Sequence, residues 1–165
     1  MNYFDLHCDT AKRCFTENLN FNSSLLAINS NCGKYFDKWK QCFAVFIKDS
    51  CKFPFTVYQN ILNNFKRKVC IASHITPIYT IEGGAPIEND VSRIYCFYKD
   101  GIKVLSLTWN DENALAGGAN PNVSLKPLGY EAIKELNRYG MVCDLSHLNR
   151  KSFYKVIESA DKIMA

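Results

Sequence analysis

Short apolar segments alternate with amphipathic helical segments along the chain, and this alternation limits the fold more than any other feature of the sequence. Uninterrupted apolar strands of this kind belong to parallel sheets that helices cover on both faces. The sequence therefore predicts an α/β fold. Strands are predicted at residues 2–8, 41–47, 75–84, 101–110 and 140–147, with a sixth beginning in DKIMA, and helices at 55–73, 88–99, 125–138 and 150–160, the last capped by Asn149.

Polar residues that can bind metals or substrates follow several of these strands. An open doubly wound sheet and a (β/α)8 TIM barrel both fit the alternation, but barrel enzymes collect their functional residues from the ends of many strands at one face. The polar residues thus favour the barrel. A complete barrel needs about 250 residues, so we expect the 165-residue chain to be a single domain, residues 1–165, that holds roughly the first five β-α units of an incomplete barrel.

Composition and charge exclude some classes of partner. The net charge is only +4, and the one tight basic cluster, Lys66 to Lys68, is interpreted as a solvated helix face, so nucleic-acid binding is not expected. The sequence shows neither a signal peptide nor an apolar stretch that could span a membrane, which predicts a cytoplasmic protein without a membrane partner. The eight cysteines include no CxxC pair and are expected to be reduced, mostly in the core.

The segment DLHCDT carries Asp5, His7 and Asp9 at alternating positions of the first predicted strand. On a strand these side chains share one face, about 7 Å apart at the backbone, and Cys8 turns away from them. Imidazole and carboxylate together suit Zn²⁺, with Mn²⁺ or Co²⁺ as alternatives. Glu82 could bridge to a second ion, and His147 could complete that second site.

Four segments resemble the membrane dipeptidase (renal dipeptidase) family of zinc peptidases: DLHCDT, IEGG, LSLTWNDENALAGGA and ELNRYGMVCDLSHLN. They occur in the family's order, and residues 101–149 are the most specific part. The resemblance implies an amidohydrolase-type (β/α)8 barrel with two zinc ions, a zinc-bound hydroxide as nucleophile, and dipeptides as substrates. It leaves a homodimer of the complete protein open.

The resemblance also assigns roles to individual residues. His7 and Asp9 match ligands of the first zinc, and Glu82 matches the catalytic carboxylate that bridges both ions. His147 matches one histidine of the second zinc. Asp5 and Asp144 are expected to orient the metal ligands without binding the metal themselves.

Other family residues differ or are not found in this sequence. Animal enzymes have a histidine after LT that polarises the substrate carbonyl, whereas this chain has Trp109, which we expect to line the substrate pocket with Asn110. The second family histidine, a late aspartate and a substrate-binding arginine would all follow Ala165.

Three functional hypotheses therefore remain. The first is a zinc-dependent dipeptidase. The second is a catalytically inactive fragment of such an enzyme, and the third is another amidohydrolase-superfamily hydrolase. The carboxylated lysine that usually bridges the metals in those other enzymes has no counterpart here, which favours the dipeptidase.

Overall fold

A computed structural model describes residues 1–69 and 74–165. Six strands form one sheet in the order of the sequence, with helices between them, so the predicted α/β class is confirmed. This order is that of a barrel; a doubly wound sheet reverses its strand order at a switch point. The elements are β1 (Asn2–Asp5), α1 (Thr10–Thr16), β2 (Lys38–Phe46), α2 (Pro54–Val69), β3 (Ile75–Glu82), α3 (Arg93–Lys99), β4 (Ile102–Ser106), α4 (Pro127–Arg138), β5 (Val142–Asp144), α5 (Arg150–Ser159) and β6 (Ile163–Met164).

The chain divides into two compact units. The first unit contains Met1–Phe46 and Val57–Thr80, and the second contains Ile47–Thr56 and Ile81–Ala165. In the first unit β1 pairs with β2 in parallel, and in the second β5 pairs in parallel with both β4 and β6. The single domain expected from the sequence stays a prediction.

Aromatic residues from three segments form the core of the first unit. Phe43 of β2 and Phe65 of α2 are fully buried, with ring centroids 4.7 Å apart, and Phe21 packs edge-on against both. Such aromatic pairs add about 0.5–1.5 kcal/mol to the free energy gained from burial alone. Because Phe21 lies in a segment without regular structure, this cluster holds that long connection against the sheet.

Lys68 corrects the prediction that the basic cluster is a solvated helix face. Its ammonium group is partly buried and donates hydrogen bonds of 2.9 Å to the carbonyl oxygens of Cys14 and Leu19. Cys14 lies in α1 and Leu19 lies just after it, so Lys68 connects α2 to α1 and to the segment that follows α1.

The core of the second unit lies between β4 and its neighbouring helices. The fully buried side chains there include Ile94, Phe97, Ile102, Leu105 and Leu136. α4 begins at Pro127, two residues later than predicted, because proline is favoured in the first turn, where no amide hydrogen is needed. The Asn149 side chain caps α5 by accepting a 2.9 Å hydrogen bond from the Ser152 amide, as predicted.

β1, β3, β4 and β5 are shorter than the apolar runs that predict them, whereas β2, predicted at 41–47, spans Lys38–Phe46. β1 ends at Asp5, β4 at Ser106 and β5 at Asp144, and the residues that follow lie in loops. β1 is also exposed, not buried as predicted, with Phe4 55% exposed. The predicted helix at 88–99 is replaced by a short 3-10 turn at Ala85–Ile87 and the seven-residue helix α3.

Residues 70–73, the end of the predicted 55–73 helix, lie outside the described residues. Within residues 1–69 and 74–165, no helix has both the length and the apolar character needed to cross a bilayer. The described cysteines are all free thiols, three of them buried: Cys14, Cys42 and Cys143.

Candidate metal centre

His7 and Asp9 lie just beyond β1 in the first unit. His7 Nε2 and Asp9 Oδ1 are 3.9 Å apart, and both side chains are about half exposed. Because β1 ends before His7, strand alternation does not bring them together. The backbone between them is instead anchored at Cys8, whose carbonyl oxygen accepts a 3.0 Å hydrogen bond from the Ala44 amide of β2.

Asp9 is the N-cap residue of α1, but its carboxylate accepts no capping hydrogen bond from a backbone amide of the helix. The hydrogen bond from His7 lowers the pKa of Asp9, with smaller contributions from the charges of His7 and Lys12. Asp9 is thus a carboxylate at neutral pH. Burial raises the pKa of the neighbouring Cys8 thiol to about 11, so Cys8 is a neutral thiol beside these two side chains.

Asp5 supports the same loop through the backbone. Its carboxylate accepts a 3.2 Å hydrogen bond from the His7 amide. This contact fixes the direction in which the chain leaves β1. The supporting role predicted for Asp5 is compatible with this position, and it stays a prediction.

Glu82 is the last residue of β3 and belongs to the second unit. The backbone that follows it is tied to the end of β4: the Gly83 amide donates to Ser106 Oγ at 2.8 Å, and the Gly84 amide donates to the Leu107 carbonyl at 3.0 Å. Ser106 is fully buried. The sequence analysis did not identify Ser106. A serine within an apolar strand is the signal that could have done so, because a buried hydroxyl group needs a hydrogen-bond partner.

Glu82 and His147 come together in the second unit. His147 Nε2 lies 3.2 Å from Glu82 Oε1, and the two side chains are 31% and 13% exposed. His147 has a left-handed backbone, with φ of 66°, which is uncommon for residues other than glycine, although histidine, asparagine and aspartate adopt it more often than most. The position of this imidazole therefore depends on a backbone conformation that is less favourable than the usual ones.

Asn110 contacts the other nitrogen of the same ring. His147 Nδ1 lies 3.1 Å from Asn110 Oδ1. The sequence analysis assigned Asn110 to the substrate; in the structure its side chain meets the imidazole. The Trp109 ring lies next to the His147 ring, with their centroids 6.3 Å apart, so Trp109 and His147 form part of one surface.

Asp144 shapes the loop that carries His147. Its Oδ1 accepts a 2.9 Å hydrogen bond from the Ser146 amide. This side-chain turn directs the chain from the end of β5 toward His147. The structure therefore places Asp144 three residues before His147, and its predicted supporting role stays a prediction.

Asn113 organises the long loop after β4. Its side-chain oxygen accepts from the amides of Leu115 and Ala116, and its nitrogen donates to the Leu107 carbonyl and to Asp49. Asp49 is half-buried, and this desolvation raises its pKa. The sequence signal for such a residue is an asparagine within a Gly/Asn-rich loop, which predicts loop order but not these partners.

A cavity of about 440 Å³ lies in the second unit beside Gly84 and Asn113. This volume is within the usual range of small-molecule sites. Its other polar lining includes Asp49, Lys52 and Glu112. Within the described part of the chain, Trp109 and Asn110 are not among its lining residues, so the predicted substrate residues lie outside this cavity.

Comparison with known proteins identifies the class. Residues 52–162, more than half of the chain, match the membrane dipeptidase family, Peptidase family M19. An uncharacterized dipeptidase of Schizosaccharomyces pombe is 30% identical over 92 residues, which are 53% of this chain and 22% of that protein. Dipeptidase 3 of Mus musculus is 30% identical over 94 residues, which are 52% of this chain and 18% of that protein.

Solved structures show the same fold. A metallopeptidase from Rhodobacter sphaeroides, liganded with a phosphinate mimic of the dipeptide L-Ala-D-Ala, superposes with a TM-score of 0.78 at 17% identity, covering 96% of this chain and 62% of that one. An M19 metallopeptidase, dipeptidase AC, gives 0.78 at 19% identity, covering 96% and 60%. The predicted barrel-type fold is confirmed, represented here by its first strands and helices.

The fold thus places the chain among α/β proteins of the barrel type. More specifically, the chain belongs to Peptidase family M19, the membrane dipeptidase family. It spans only about a fifth of the length of the curated relatives that it matches.

Proposed function

We propose that this chain contributes the metal-binding part of a zinc-dependent dipeptidase. The observation that carries the proposal is the approach of His147 Nε2 to Glu82 Oε1 at 3.2 Å in a partly buried setting. A carboxylate oxygen and an imidazole nitrogen that converge in this way are suitable donors for Zn²⁺. Membership of Peptidase family M19 supports the assignment of the reaction to dipeptide hydrolysis.

Four side chains would hold two zinc ions. By the motif resemblance, His7 and Asp9 of the first unit would bind one ion, and Glu82 and His147 of the second unit would bind the other. The donor chemistry of each pair fits: Asp9 is a carboxylate with a lowered pKa beside His7, and Glu82 is a carboxylate beside His147. Bound zinc would lower the pKa of a water molecule and polarise the substrate carbonyl.

The protein's own groups would then position the substrate. The Trp109 indole, next to His147, offers an apolar wall where animal relatives have a histidine, so this chain must polarise the carbonyl by other means. The backbone that follows Glu82 is held by the hydrogen bonds of the Gly83 and Gly84 amides to the end of β4, which would limit the movement of Glu82 during turnover.

Zinc content and dipeptide hydrolysis, measured on the same purified sample, test the proposal. For the complete protein that contains this segment we expect about two zinc ions per chain, as in binuclear hydrolases, and hydrolysis of L-Ala-D-Ala, a test substrate suggested by the ligand of the Rhodobacter sphaeroides structure. His147→Ala should reduce both. His74→Ala is the matched control, because His74 is an exposed histidine outside the site.

Less than one tightly bound zinc and no hydrolysis by the wild-type protein would contradict the proposal. That result would favour the alternative of a catalytically inactive chain. Zinc binding combined with hydrolysis of other amide or ester substrates, but not of dipeptides, would favour another amidohydrolase activity.

A further inference from the structure

The contact between Asn110 and His147 determines which ring nitrogen is available to a metal. An amide oxygen can only accept a hydrogen bond, so the 3.1 Å contact between Asn110 Oδ1 and His147 Nδ1 is a hydrogen bond in the tautomer that carries its proton on Nδ1. In the neutral imidazole Nε2 then carries the lone pair. Nε2 is the nitrogen that faces Glu82.

The backbone on the Asn110 side is fixed. The Asn110 carbonyl oxygen accepts a 2.8 Å hydrogen bond from the Ala119 amide. Gly118, with φ of 54°, packs so closely that a Cβ would lie 2.7 Å from the same oxygen. This close packing leaves Asn110 little freedom to move along the loop.

Further hydrogen bonds join this loop to the loop of His147. The Asn149 amide donates to the Gly118 carbonyl at 2.8 Å, and the Asn149 side chain donates to the carbonyls of Asn120 and Val123 at 2.6 and 2.8 Å. Asn149 lies two residues after His147. Hydrogen bonds that join the two loops therefore hold Asn110 and His147 next to each other. A chance contact between exposed side chains would have no such hydrogen bonds behind it.

We infer that Asn110 is a positioning residue that keeps the proton on His147 Nδ1 and presents Nε2 to the metal. This inference rests on the proposed function and changes the role of Asn110 from substrate contact to ligand support. Metal-bound histidines commonly donate their second ring nitrogen to an oxygen, and loss of that partner typically lowers metal affinity 10- to 100-fold.

Zn²⁺ affinity and imidazole NMR test the inference together. Asn110→Ala should lower zinc affinity about 10- to 100-fold, while Asn110→Asp, which can only accept at neutral pH, should retain it. Asn122→Ala is the matched control, an exposed asparagine of the same loop. The chain has only three histidines, so ¹⁵N spectra of the zinc-loaded protein, assigned with His7→Ala and His74→Ala, should show His147 with a slowly exchanging Nδ1 proton.

The outcomes separate the two proposals. If the wild-type protein binds no zinc, both are wrong. If wild type and Asn110→Ala bind zinc equally, or if His147 lacks the Nδ1 proton in the zinc-loaded wild type, the role of Asn110 is wrong and the dipeptidase proposal survives. If Asn110→Ala does not fold, Asn110→Asp decides: loss of the Nδ1 proton overturns the inference, because a carboxylate preserves an acceptor.

Discussion

The two candidate ligand pairs, one in each compact unit, are built differently. His7 and Asp9 are about half exposed, 3.9 Å apart, and follow an exposed four-residue strand. Glu82, at the end of β3, and His147, in the loop after β5, are more buried and 3.2 Å apart, and the residues that follow each of them make backbone hydrogen bonds to the segment after β4. Two ligand pairs of similar chemistry thus differ in how much of the surrounding protein holds them in place. Substitutions behind each pair should therefore have unequal effects.

Gly84→Ala should have the largest effect, because it disrupts the packing behind Glu82. A Cβ at this position would lie 2.2 Å from Leu115 Cδ1 and 2.5 Å from the Leu107 carbonyl oxygen. We expect a loss of about 3 kcal/mol or more in the free energy of unfolding. Urea denaturation measures it.

Gly101→Ala is the control for that substitution. Gly101 has φ of 85° but nothing within 4 Å of a new Cβ, so only backbone strain of about 1–2 kcal/mol is expected. Equal losses for the two variants would show that the close packing at Gly84 contributes nothing to stability.

Asn113→Ala should have the next largest effect. The substitution removes four hydrogen bonds that hold the loop after β4. Because it leaves partly buried partners unsatisfied, we expect a loss of about 2 kcal/mol. Thermal unfolding compares it with Asn122→Ala, which should change stability by less than about 0.5 kcal/mol. Similar melting temperatures for the two variants would contradict the organising role of Asn113.

Asp49→Asn should give a smaller, stabilising effect that depends on pH. Burial raises the pKa of Asp49, so the folded protein binds this proton more tightly than the unfolded chain does. The carboxylate therefore costs stability above the folded pKa, and this cost disappears as pH falls below the unfolded pKa of about 3.9. The variant keeps an acceptor for Asn113 and should gain less than about 1 kcal/mol at pH 7, given solvent screening.

Denaturation of wild type and Asp49→Asn at pH 7 and pH 3.5 checks this sign. The difference should shrink at the lower pH. A difference that grows on acidification would mean that the ionised carboxylate stabilises the fold.

Cys8→Ser should have the smallest effect and tests the exposed pair. The raised pKa of about 11 keeps the Cys8 thiol protonated at neutral pH, so it is not expected to act as a thiolate ligand beside His7 and Asp9. Zinc content should be unchanged within error. Loss of one zinc ion in Cys8→Ser, compared with Cys96→Ser at an exposed cysteine, would show that the thiol binds metal.

The sequence predicts the order of elements better than their ends. The helices and strands follow from apolar periodicity, and the cap at Asn149 from its residue type. The strand ends are overestimated because loop residues such as Trp109 and Leu145 are also apolar and partly or fully buried. Periodicity reports burial, and it cannot distinguish a paired residue from a packed loop residue.

The candidate site shows the same limit. Short motifs indicate that His7, Glu82 and His147 are ligand candidates, and residue type is enough for that. The partner of each side chain depends on loop paths, which sequence spacing does not give. Asn110 illustrates this: its position in LTWN suggests contact with substrate, whereas its side chain meets His147.

The left-handed backbone of His147 has a consequence for comparing and designing sequences of this kind. A sequence selected only for folding would favour glycine or asparagine at position 147, because both adopt this conformation at lower cost. Histidine at this position therefore indicates a chemical role that outweighs the cost in stability. In a library screened separately for expression and for zinc binding, position 147 should therefore diverge between the two pools, toward glycine or asparagine in the first and histidine in the second.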